Sequence, residues 1–207
     1  MESSKALSGG LLAKHEIIRT DKIERMNDML LQVYKGRIVS ADCGGQPFFG
    51  HARRVQFEHI GFDYCAYDAD VEIDFPEAPS LRQQICLNGA GETIIQRRSV
   101  PLSDQATCVI PPETKITTHL GAGYRQLVLR VDPAALRRKL EALVGANLPN
   151  PIEFCSRQTF RSPQAEMSKR SALFFASGVE TFESDACRLA RGEFEEAQPM
   201  DYCPANL

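Results

Sequence analysis

Apolar and polar residues alternate in short bursts through the middle of the chain, then change period near residue 132. In Tyr124–Val131, Leu127, Leu129 and Val131 fall on one side of an extended strand, because successive side chains point to opposite faces. Asp132 is a good helix N-cap, and Pro133 suits the first helical position, where its missing N–H costs nothing. Leu136, Leu140, Leu143 and Val144 follow at helical spacing, and Gly145 ends the helix. A strand-rich part therefore hands over directly to a helical one.

Upstream, Ile23, Met26, Leu30 and Val33 predict a helix to about Tyr34, capped by Thr20 or Asp21 and stopped by Gly36. Between Gly50 and Val131 the pattern predicts about eight short strands. They are His51–Phe57, Ile60–Tyr67, Val71–Phe75, Leu81–Leu87, Glu92–Arg98, Gln105–Ile110, Ile116–His119 and Tyr124–Val131. Asn88-Gly89-Ala90-Gly91 has hairpin chemistry, since glycine allows positive φ, and Pro111-Pro112 must end a strand. This series predicts a barrel or sandwich. Ile152–Phe154 is a candidate last strand, and Ser162-Pro163 a second helix start. Ala172, Phe175, Val179, Phe182, Ala186 and Leu189 then alternate spacings of three and four, an apolar seam that packs on its own barrel or on a second copy.

With 207 residues, 43% of them hydrophobic and 25% charged, the chain can bury a core without metals or disulfides. A net charge of −3 disfavours phosphate-backbone contact by this part of the protein. Seven widely spaced cysteines without a C-x-x-C read as reduced, buried thiols. The N-terminus lacks signal-peptide character, and no apolar run reaches the ~20 residues of a membrane span. The expectation is a cytoplasmic protein with no membrane partner.

Candidate chemistry is sparse. His15, His51, His59 and His119 include no H-x-H pair, the spacing that would aim two ligands at a metal from one strand face. No G-x-S-x-G or P-loop pattern occurs. No cofactor and no catalytic residue are expected. Ligand binding is better supported, because the mouth and lumen of a small barrel are natural containers. His51, Arg53, Tyr64, Arg82, Gln84 and Arg125 are polar positions on otherwise apolar strands. A buried arginine needs a partner, which in a pocket can be a ligand carboxylate or phosphate. Arg137-Arg138-Lys139 reads as a solvated helix face, with Arg137 and Glu141 spaced to pair.

Three stretches carry a family resemblance. Leu81–Gly89 followed by Gly91, Ala106–Pro112 and Tyr124–Leu136 resemble the N-terminal domain of the AraC/XylS transcription regulators. The resemblance covers about residues 15–190. It implies an α+β fold: a cupin-like antiparallel β-barrel (jelly roll) with a flanking N-terminal helix and a C-terminal helical dimerisation segment. The expected organisation is a disordered leader over 1–14, helix plus effector barrel over 15–131, helical segment over 132–197, and a tail over 198–207. The family's C-terminal DNA-binding domain, with two helix-turn-helix motifs, has no room after Leu189 and is expected to lie outside this sequence. The start at Gly50-His51 resembles the place where the XylS-like branch tunes effector choice. Arg125 matches an inward position in the arabinose-responsive branch. The resemblance thus implies His51 and Arg125 as ligand-binding residues, joined by Tyr64, Gln84 and Leu127 as pocket residues. It also implies a small effector, an aromatic or other small carboxylate first among them, and a homodimer through Phe175, Val179, Phe182, Ala186 and Leu189. DNA would be reached only through the absent domain. The alternative is a metal-dependent cupin enzyme, a dioxygenase or isomerase.

Overall fold

Two antiparallel sheets lie face to face, and their inner faces enclose the lumen. The computed structural model describes residues 10–159 and 163–179. A 3-10 turn at Ala13–His15 leads into β1 (Glu16–Thr20), helix α1 (Ile23–Tyr34) and β2 (Arg37–Asp42). There follow β3 (Gly50–Gln56), β4 (Ile60–Tyr67), β5 (Asp70–Phe75), β6 (Leu81–Asn88), β7 (Gly91–Ile95) and β8 (Arg98–Leu102). Next come β9 (Ala106–Ile110), β10 (Ile116–Leu120), β11 (Tyr124–Val131), α2 (Pro133–Val144), β12 (Arg157–Thr159) and α3 (Pro163–Gly178). One sheet has seven strands in the order β1-β3-β4-β11-β6-β9-β12, the other five in the order β2-β5-β10-β7-β8. The chain crosses between the sheets repeatedly, which makes a cupin-like jelly roll of two sheets rather than one closed ring of strands.

Each face of the seven-stranded sheet buries a different set of residues. Its outer face carries Phe62, Leu127, Leu129 and Val131, covered by Leu11, Leu12, Leu136, by Ala172 and Ala176 of α3 and by Val179 just after it. Its inner face meets the five-stranded sheet through Cys65, Cys108, Ile110, Ile73, Ile116 and Leu120, and α1 adds Met26, Met29 and Leu30 to that cluster. Being covered on both sides, β4 and β9 are buried at every position. The five-stranded sheet is wet outside, so β10 alternates buried Ile116, Thr118 and Leu120 with more accessible Thr117 and His119.

The strand-to-helix junction forms as its residues dictate. Asp132 Oδ1 accepts the Ala134 N–H at 2.8 Å, Pro133 occupies the first turn, and the Gly145 N–H donates to Glu141 O at 2.9 Å. Arg137 Nε donates to Glu141 Oε1 at 2.9 Å, and the same guanidinium reaches Asn150 O, tying α2 to the segment behind it.

Four expectations need correction. Asn88–Gly91 does not close a hairpin: β6 and β7 belong to different sheets, and this turn is a corner between them. The span 92–98 is two strands' worth of chain, broken at Gln96-Arg97, whose φ values of 49° and 66° form a tight β7–β8 turn. Gln-Arg lacks the glycine or asparagine that announces such a turn. At the end of α1 the left-handed residue is Lys35 (φ 57°), not Gly36. Gly36 is needed for space instead, since an added Cβ would sit 2.6 Å from the Phe75 ring. The last strand is Arg157–Thr159, while Ile152 and Phe154 pack against the outer core without joining a sheet.

Residues 10–14, read as part of a leader, bring Leu11 and Leu12 into the outer core. Of the apolar seam, Ala172, Phe175 and Val179 pack on the chain's own outer core, whereas Phe174 is 68% exposed. Phe182, Ala186 and Leu189 lie outside the described residues, as do Ser162 and Cys187 and Cys203. Cys43, Cys65, Cys86, Cys108 and Cys155 are free thiols. No helix among the described residues is long and apolar enough to cross a membrane.

Candidate functional site

Strand register decides which side chains meet in the lumen. Arg54 pairs with Asp63, Asp63 and Gln84 both lie opposite Val128, and Gln84 lies opposite Cys108. This row crosses β3, β4, β11, β6 and β9 on the inner face. The next inner row sets Arg130 directly opposite Arg82, with Ile110 beyond it. A third carries Ala52, Cys65, Gln126 and Cys86.

These rows line a cavity of about 370 Å³ between the two sheets. Ile73, Ile116, Thr118 and Leu120 form the facing wall, and Leu30 and Tyr34 of α1 close one end. The loop at residues 77–80 completes the rim. The volume suits a small organic molecule.

The polar groups of the lumen are not equivalent. Asp63 is buried, and Arg130 Nε donates to its Oδ2 at 2.5 Å. Tyr34 O–H donates to its Oδ1 at 3.0 Å, and Arg54 Nε lies 3.7 Å from the same oxygen. The Arg54 guanidinium also sits 5.1 Å from the centre of the Tyr34 ring. Gly61 leaves the room this needs, because a Cβ there would meet Arg130 Nη2 at 2.5 Å. Burial, and then the Asp63 charge, push the Tyr34 phenol far above its ordinary range, so it stays a donor.

Gln84 joins the two sheets. Its Oε1 accepts from Thr93 Oγ1 at 2.7 Å, and Thr93 Oγ1 lies 3.2 Å from Thr118 Oγ1. Cys65 and Cys108 are raised by burial, Cys108 to about 12 despite the pull of Arg82, so both remain thiols at neutral pH. Arg82 is the exception to this satisfied network. It is only 9% exposed, its Nη2 donates to Thr114 O at 2.7 Å, and its buried Nε has no partner.

Among the sequence-derived site residues, Gln84 lines the lumen. His51, Tyr64, Arg125 and Leu127 sit at the alternate positions of the same strands and so face the other side of the seven-stranded sheet. There His51 and Tyr64 meet edge to face at 5.8 Å, and Leu127 joins the outer core. Arg125 Nη2 lies 3.8 Å from Asp68. His51 Nε2 is 2.9 Å from Glu16 Oε2 and accepts from Arg53 Nε at 3.2 Å, while Arg53 Nη1 donates to Leu11 O at 2.5 Å. These side chains bind the N-terminal segment to the sheet rather than line the cavity. The lumen residues Arg54, Asp63, Gln126 and Arg130 were not singled out from the sequence. Arg54, Asp63 and Gln126 each lie one residue from a candidate position, so phase alone separates them from it, while Arg130 carries no such signal.

Among the described residues no group of three His, Cys, Asp or Glu side chains is placed to hold a metal. His119 faces outward on β10, 3.7 Å from Glu72, and His59 lies in the loop between β3 and β4, 3.7 Å from Asp132.

The double-sheet jelly roll with an enclosed lumen defines a cupin-type domain. The sequence matches the family model of the AraC-binding-like domain over residues 26–196, and the chain belongs to that family. No curated protein sequence matches it. Among solved structures, the AraC-like transcriptional activator CuxR shares the fold, with a TM-score of 0.62, 9% identity, and coverage of 89% of this chain and 68% of that one. The EutQ protein of Clostridium difficile aligns with a TM-score of 0.36 and 16% identity over 44% of this chain and 74% of that one. A cupin 2 conserved barrel protein from Leptotrichia buccalis aligns at 0.38 and 12% over 46% and 49%.

Two outcomes follow from this geometry. Asp63→Asn leaves Arg54 and Arg130 without their counter-charge and is expected to cost about 3 kcal/mol in urea unfolding; a loss below about 1 kcal/mol contradicts the network. The His51 pKa is depressed, first by burial and then by Arg53 and Arg19, with Glu16 opposing. The unfolded chain therefore takes up the proton more readily, and stability falls as pH drops below about 6.5. His51→Gln should flatten the dependence of the melting temperature on pH between about 7 and 5; an unchanged slope contradicts the assignment.

Proposed function

We propose that this chain is the effector-sensing domain of an AraC-type transcription regulator, and that a small molecule binds in the lumen between its two sheets. The observation that carries the reading is the cavity of about 370 Å³ between the sheets, which sets charged and polar side chains such as Arg54, Asp63, Arg82, Gln84 and Gln126 beside apolar ones such as Ile73, Ile110 and Ile116. Membership of the AraC-binding-like family supports a regulatory rather than a metabolic use of that cavity. In this reading the domain binds its ligand and does not turn it over. The DNA-binding domain it controls belongs to the same regulator outside this sequence.

The joint between β11 and α2 offers a route for coupling. Gln126, Val128 and Arg130 line the lumen, and two residues after Arg130 the capping side chain of Asp132 starts α2. A ligand that favours one setting of β11 biases the helix docked on its end, and the reciprocal effect must be equal. The helical segment at the C-terminal side carries a homodimer contact, with Phe174 and Met167 on the outward face of α3 as its described part.

Ligand binding adds stability as the logarithm of occupancy, about 2.7 kcal/mol at a hundredfold excess over Kd. A thermal-shift panel of small carboxylates, sugars and nucleotides is expected to contain at least one compound class that raises the melting temperature. Silence from every class at saturating concentration contradicts the sensor reading. Light scattering at micromolar concentration should report a dimer that Phe174→Glu converts to a folded monomer; a monomeric wild type contradicts that contact.

A further inference from the structure

The lumen holds three arginines, and two of them share one carboxylate. Arg54 and Arg130 converge on Asp63, at 3.7 and 2.5 Å. Arg82, directly across the strand pair from Arg130, has no such partner. Like charges placed opposite one another on adjacent strands repel, so this arrangement works against the sheet. No carboxylate among the described residues pairs with Arg82; Nη2 donates to the Thr114 carbonyl, the neutral Cys108 thiol lies nearby, and Nε stays buried without a hydrogen-bond partner. Glu77, the other acid on the cavity wall, is exposed at the rim and makes no ion pair with it. Arg125 offers a contrast: its Nε is also unpaired, but a carboxylate lies 3.8 Å from its Nη2.

A buried guanidinium stays charged and costs several kcal/mol unless something compensates it. Folding alone does not account for Arg82, since an apolar residue opposite Ile110 would fill the site at lower cost. The cavity wall as a whole carries Lys35, Arg54, Arg82 and Arg130 against Asp63 and Glu77, an excess of two positive charges in a chain whose net charge is −3. The same cavity wall carries apolar side chains, Ile110 directly opposite Arg82 and Ile73, Phe75 and Ile116 from the facing sheet.

We infer that Arg82 is the anion anchor of the lumen, and that it takes the carboxylate of a small organic acid whose apolar body lies along Ile73, Phe75, Ile110 and Ile116. The inference rests on the lumen being the ligand site. A carboxylate accepts from Nε and a terminal nitrogen together, which supplies the missing partner of Nε and the missing counter-charge at once. Asp63 is already saturated by its own arginines and tyrosine. It therefore neither competes for Arg82 nor repels the ligand strongly.

Matched acid and amide pairs test this, namely benzoate with benzamide and hexanoate with hexanamide, on wild type, Arg82→Met and Arg82→Lys. At least one acid should raise the melting temperature of the wild type, and its neutral amide should not. Arg82→Met should weaken acid binding about tenfold or more, and Arg82→Lys should fall between. Without ligand, Arg82→Met should melt at or above the wild-type temperature, because it removes an uncompensated charge. A drop of several degrees would instead assign Arg82 to holding the fold, and Arg82→Lys, which keeps the charge, reports on the ligand independently. Equal shifts from acid and amide, or an acid shift that survives in Arg82→Met, overturn the anchor while leaving the lumen as a binding site. Silence from both acids overturns the carboxylate assignment, and the sensor reading falls only if sugars and nucleotides are silent too.

Discussion

Asp63 is the group on which the polar interior depends. It sits on β4, an interior strand of the seven-stranded sheet, buried, and accepts from Arg130 and Tyr34 while Arg54 lies close by. A cavity lined with unscreened arginines would be expelled from a jelly-roll core, because desolvating each charge costs more than packing returns. One carboxylate shared between two guanidinium groups keeps two of them in place. The same carboxylate latches the end of α1 over the lumen through the Tyr34 hydroxyl. Charge balance, the closed end of the cavity and the position of the first helix therefore share one origin.

Against that balanced cluster, Arg82 stands as the group the fold does not satisfy. Buried polar groups in native proteins are paired as a rule, and each exception calls for a physical reason. The contrast between Asp63, with every oxygen used, and Arg82, with a bare Nε, gives the lumen a direction. The saturated end faces α1, while the unsatisfied arginine lies one row away beside the apolar wall. Such an interior distinguishes a charged group from a neutral one by where each can be compensated.

The elements carrying strong local signals were legible in the sequence. Asp132-Pro133 and Gly145 bracket α2 as their chemistry requires, and the alternation in Ile60–Tyr67 and Tyr124–Val131 marks β4 and β11. The Gln96-Arg97 turn was not, because nothing in that dipeptide favours positive φ and tertiary pairing imposes it. Arg37–Asp42 carries no strand signal in its sequence, since as an edge strand it alternates only weakly between half-buried and exposed. The site was legible in content but not in phase. Arginines, glutamines and tyrosines on apolar strands were recognisable, yet both faces of the seven-stranded sheet are buried, so alternation alone cannot tell lumen from outer core. Arg125, Tyr64 and His51 fell on the outer side for that reason. Arg82 and Gln84 fell on the inner side by the same period of two.

The central claim is that the ligand enters between the sheets, and amide chemical shifts report it directly. Titrating the 15N-labelled chain with the compound that most raises its melting temperature should perturb Arg82, Gln84, Thr118, Gln126 and Val128. The outer positions His51, Tyr64 and Arg125 should move less. Perturbations concentrated on that outer set, with the inner rows unmoved, would contradict the account.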